Sequence, residues 1–156
     1  YAQKRFGPNP AEAISRRRNV WESPQQMFEE FSDREPFSSW RDDVLQDYCE
    51  FGLVRASNSD HYELACAPSF EAAIYGGAID ADIHDCISKV STPVTIVRAK
   101  SSGIEVARQG FMASPTWPEL ASAFERGQDI YLPEYSHFIP MEDPNRVASI
   151  IRDLSL

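Results

Sequence analysis

The 156-residue chain is 42% hydrophobic and 12% aromatic, with a formal net charge of −9 and a sequence pI near 4.8. Those proportions suit one folded domain with a real core and exclude a disordered polar chain, while the negative charge opposes attraction to nucleic-acid phosphates. No apolar run approaches the roughly eighteen residues that a spanning helix needs, so neither nucleic acid nor membrane is an expected partner. The chain reads as a soluble cytoplasmic protein, with a removed leader left open because the sequence starts at Tyr1.

Residues 1 to about 66 read as small helices joined by polar turns such as "GPNP" and "ASNSD". The basic cluster Arg16, Arg17 and Arg18 is expected on a solvated helix face. In "WESPQQMFEEF", Ser23 can cap a helix, Pro24 suits its first position and Gln26 falls at the third, which predicts a helix from Pro24 to about Phe31. "SSWRDDVLQDYCEFG" places Val44, Leu45, Tyr48 and Phe51 at helical spacing, with Gly52 as a stop. Trp21, Met27, Phe28, Phe31, Phe37 and Trp40 crowd together. They form either the core of a helical layer or the lining of a pocket beneath it.

From Pro68 the pattern changes. "PSFEAAIYGG" predicts a helix closing on glycine, and "DADIHDCISKV" a weaker one. "TPVTIVRA" holds a β-branched run, Val94 to Val97, with the weak alternation of a strand covered on both faces. Thr116 and Glu119 offer a capping box for a helix ending at Gly127, "DIYLP" predicts a second strand, and Asp143 and Pro144 open a terminal helix striped by Val147, Ile150, Ile151 and Leu154. Strand, helix, strand, helix is a βαβα unit whose connection is long enough for a parallel crossover. Two such strands need further neighbours, and "YELAC" at 62 to 66 is the only other weak strand signal. The rest of the sheet is expected on another polypeptide or an amino-terminal half of the same protein. Pairing of two copies, a homo-oligomer, is the other way to complete it.

Cys49, Cys66 and Cys86 are an odd count at irregular spacing, which argues against a disulfide framework or a zinc motif; each is expected to be a small buried side chain. His61 falls in a polar loop. His84, with Asp82 and Asp85, is crowded into one turn without a distant ligand. No metal or cofactor is expected.

His137 follows the second strand by five residues, at the carboxyl end where reacting groups of open parallel sheets gather, and an imidazole moves protons near neutral pH. "PVTIVRAK" at 93 to 100, "LPEYSHFIPMEDPNRVASII" at 132 to 151 and "FSSWRDDVLQDYCEFGL" at 37 to 53 together resemble the carboxy-terminal half of an α/β-hydrolase-fold protein, in which "HFIPMEDP" is similar to the segment carrying the catalytic histidine. The resemblance implies an α/β fold, incomplete here. It divides the chain into a helical cap at residues 1–66 and the carboxy-terminal part of the core at 67–156, with two final parallel strands.

It implies that His137 is a general base for ester, lactone or related hydrolysis. Its orienting carboxylate would come from the loop after the first strand, where "RAKSSGIEV" departs from the family by having Glu105 as the nearest acid; the competing position is an acid preceding Tyr1. Trp21, Phe28, Phe31, Phe37 and Trp40, with Phe138 beside the histidine, would line an apolar substrate pocket. No small-x-nucleophile-x-small elbow follows a strand, so the nucleophile is expected on the amino-terminal half, and the chain alone is not expected to be active. The alternatives are a non-catalytic hydrolase-like binding or scaffolding protein, and an epoxide hydrolase or dehalogenase relative with an Asp nucleophile.

Overall fold

The computed structural model describes residues 10–80, 83–100 and 114–154. The amino-terminal layer begins with α1 (Pro10–Ser15), β1 (Val20–Trp21), α2 (Pro24–Ser32) and a single 3-10 turn at Phe37–Ser39. Next come α3 (Asp42–Phe51), β2 (Leu53–Arg55) and β3 (Tyr62–Leu64). Helix α2 starts as its capping signal dictates: Ser23 is extended and its Oγ accepts the Gln26 amide at 3.0 Å. Helix α3 ends at its C-cap Gly52, where a Cβ would meet the Tyr48 carbonyl oxygen at 2.3 Å.

The three short strands pair antiparallel in the order β1-β3-β2. "YELAC" is therefore a strand, but one that belongs to this small sheet. Trp21, Met27, Phe31, Trp40, Leu45, Cys49, Leu53 and Leu64 form one buried cluster behind it. Phe51, expected on the same face, is exposed. Of the basic cluster, Arg16 and Arg18 are exposed as expected, while Arg17 is half-buried. Arg16, just past α1, pairs with Glu12, Arg17 bridges to Glu71 and donates to the Tyr48 hydroxyl, and Arg18 pairs with Glu30 and lies 4.0 Å from the Trp21 ring centre.

Helix α4 (Pro68–Asp80) packs against α1 and runs through Gly76 and Gly77, where a Cβ would meet nothing within 4 Å. Those glycines neither cap nor close the helix, contrary to expectation. After α5 (His84–Ile87), β4 (Val94–Ala99) and β5 (Gly127–Leu132) pair in parallel, Val94 opposite Gly127 and Ala99 opposite Leu132. Among the described residues of the connection, 114–126, the helix expected to end at Gly127 is a 3-10 turn at Leu120–Ala123. The strand must already begin at Gly127, which lies so close to Ala121 that a Cβ would stand 1.8 Å from its carbonyl oxygen. Helices α6 (Ile139–Glu142) and α7 (Pro144–Leu154) close the chain.

The core beneath this pair is thin: Ala99, Leu132, Ile139 and Ile150, flanked by Val97, Ile130, Tyr135 and Val147. Ile151 and Leu154 of the predicted stripe are exposed. Among the described residues no strand pairs with the outer edge of β4 or of β5. No helix among them is long and apolar enough to cross a membrane. Cys49 is buried as expected and burial pushes its thiol up to about 11, whereas Cys66 and Cys86 are exposed because neither sits on an inward helical face.

Candidate functional site

The turn that presents His137 is built by its neighbours. After β5 ends, the Tyr135 amide donates to the Leu132 carbonyl at 3.3 Å and the Tyr135 hydroxyl donates to Asp143 Oδ2 at 2.8 Å. Asp143 Oδ1 accepts the Arg146 amide at 2.9 Å, the helix cap expected of it. The Arg146 amide first and the Tyr135 hydroxyl second hold the Asp143 carboxyl below its ordinary value; the bond to Asp143 raises Tyr135 in turn.

On either side of the histidine the chain is tied down. Ser136 donates its amide to Glu142 Oε2 at 3.0 Å and its hydroxyl to Glu142 Oε1, while Ser136 Oγ accepts the Phe138 amide at 3.1 Å. His137 is exposed and lines a cleft of about 200 Å³. Val97 and Ala99 of β4, Ser114, Ile139 and Pro140 line that cleft with it. Desolvation lowers the imidazole pKa below its ordinary value, which favours the neutral ring that can accept a proton. Among the described residues no carboxylate accepts a hydrogen bond from it, and Glu105 lies outside them.

The aromatic residues singled out from the sequence separate into two roles. Trp21, Phe31 and Trp40 are buried in the core of the amino-terminal layer, at 3%, 6% and 8% exposure, with Phe28 and Phe37 half-buried against it. They pack on one another: Phe31 stacks on Phe37 at 4.1 Å between ring centres, and Trp40 meets Phe37 at 5.0 Å. Only Trp40 reaches toward the histidine turn, through Phe138 at 5.5 Å. Sequence reading missed Glu142, half-buried over the turn, together with Ser39 and Ser136, which bond to it. The signal available was its place five residues beyond the histidine, at the end of a one-turn helix. No group of three His, Cys, Asp or Glu among the described residues could hold a metal ion.

No family model matches the chain, and no curated protein matches it. Among solved structures, the crystal structure of E-2-(acetamidomethylene)succinate hydrolase matches with a TM-score of 0.63 at 16% identity, covering 92% of this chain and 50% of that one. The chain thus spans about half the length of the structure it resembles. Parallel strands leading into a histidine turn, a layer of small helices preceding them, and this likeness agree: the chain has an incomplete α/β-hydrolase fold.

Proposed function

We propose that the chain is the carboxy-terminal portion of an α/β-hydrolase in which His137 is the general base and the amino-terminal layer is the cap over the substrate. The observation that carries this reading is the place of His137, beyond the carboxyl end of β5 and at the mouth of an apolar cleft. In the proposed cycle the neutral imidazole takes the proton of a serine-type nucleophile as it attacks an ester, lactone or related carbonyl. It returns that proton to the leaving group and then deprotonates the water that releases the acyl group. The nucleophile and the preceding strands come from the amino-terminal half.

The open edge of β4 supports such a partner. The Val94 amide donates toward β5, to the Arg126 carbonyl at 3.0 Å, so by the twofold period of a strand Thr95, Val97 and Ala99 direct their amides to the other edge. Phe70 and Ile74, one turn apart on α4 and exposed, offer apolar surface for the same half to cover. Glu105 is proposed as the carboxylate that orients His137.

The test is His137→Ala in the full-length protein. Turnover of a simple ester series is expected to fall by about 10²–10⁴-fold with the melting temperature nearly unchanged, and the acid limb of the wild-type pH–rate profile to have its midpoint below about 6.5. Glu105→Gln is expected to lower turnover as well. Turnover unchanged by His137→Ala overturns the reading. The lack of a described carboxylate on the imidazole favours a second reading, a hydrolase-like binding protein, which predicts ligand binding without turnover in the unaltered protein.

A further inference from the structure

We infer that Glu142 is a positioning residue whose carboxylate clamps the His137 turn to the amino-terminal layer, so that the seating of that layer sets the orientation of the histidine. Two donors of Ser136 meet it, the amide at Oε2, 3.0 Å away, and the hydroxyl at Oε1; the Ser39 hydroxyl, whose single proton has the Pro36 carbonyl as its nearer acceptor at 2.8 Å, reaches Oε1 at 3.3 Å as the longer branch of a bifurcated bond. Ser39 belongs to the 3-10 turn of the amino-terminal layer, 103 residues away in sequence.

Two further contacts run beside this bridge. The Arg41 amide donates to the Met141 carbonyl at 3.0 Å, and Trp40 packs on Phe138. Phe138 and Met141 both rest against the core of the amino-terminal layer. The residues flanking His137 are therefore held, one by the carboxylate and the other by an aromatic contact and the Ser136 hydroxyl, while His137 itself is exposed and lines the cleft. A carboxylate suits this place because it accepts through two oxygens and donates nothing. The amide of glutamine keeps one acceptor oxygen and can serve only part of the set, and alanine serves none.

The inference rests on the proposed function only for its kinetic arm. The experiment compares Glu142→Gln, Glu142→Ala, Ser39→Ala and the Ser39→Ala/Glu142→Ala double variant in the full-length protein, by amide hydrogen exchange and by turnover. Glu142→Ala is expected to speed exchange about tenfold or more in both segments 36–42 and 133–139, with 94–99 unchanged. It is also expected to lower kcat while KM stays within about twofold, as for a group displaced only in the reacting geometry. Glu142→Gln is expected to fall between, and Ser39→Ala to add nothing once Glu142 is gone.

Faster exchange confined to 133–139, additive effects in the double variant, or loss of KM rather than kcat would overturn the inference. If His137→Ala leaves turnover unchanged, the base reading falls while the exchange measurements still decide whether Glu142 couples the two segments.

Discussion

The amino-terminal layer and the parallel pair solve the problem of burial differently. The eight core residues of the layer all fall between Trp21 and Leu64, Met27 among them at 0% exposure, and Phe138 and Met141 of the later chain pack against them. The pair β4–β5 buries Ala99 and Leu132 of its own residues against Ile139 and Ile150 of the helices that follow, leaves both outer edges unpaired among the described residues, and keeps Asp129 and Tyr131 exposed. A helical layer satisfies its backbone within each helix, whereas a strand does so only through a neighbour. One region draws its core from its own stretch of chain, and the other, among the described residues, is a two-stranded sheet.

That contrast can be broken in three ways. The largest effect is expected from Met27→Ala, which leaves a cavity in a core that has no means to collapse around it; loss of about 2–5 kcal/mol of stability in denaturant unfolding is expected. A loss much below that would mean the layer is less closed than its packing implies. A smaller effect is expected at the terminal helix, where Asp143→Ala removes the cap and the Tyr135 bond; about 1 kcal/mol is expected in the same measurement.

The smallest effect is chemical rather than thermodynamic. In the folded full-length protein Cys66 and Cys86 are expected to react with a thiol reagent promptly, and Cys49, whose buried thiol is pushed up to about 11, only on unfolding. Slow labelling of Cys86 beside fast labelling of Cys66 would sharpen the comparison, since it would mean that the unfinished region is the one covered by the rest of the protein.

Much of the helical framework was legible because its signals are local. Ser23, Pro24 and Asp143 act through bonds to residues three away or through their own ring geometry, and they do so in the structure. The small sheet β1-β3-β2 was not legible, since strands of two and three residues are too short to display a period. The extension of α4 through Gly76 and Gly77 was missed because glycine weakens a helix without ending it when nothing else supplies a stop.

At the site, His137 was legible from its position after a strand and from the segment around it. Glu142 was not, because one of its partners lies at Ser39, and a hydrogen bond spanning 103 residues leaves no mark in a local pattern. The burial of Arg17 was missed for the same reason: Glu71, which it meets, is 54 residues distant.

The packing of Phe138 and Met141 on the core of the amino-terminal layer bears on the order in which the chain acquires its shape. Contacts within residues 21–64 join near neighbours and can assemble early, since short loops are quick to close. In the segment after β5, Phe138 and Met141 come back to that surface from more than seventy residues beyond Leu64. Damage to Trp40 would therefore be felt at the histidine turn, through Phe138.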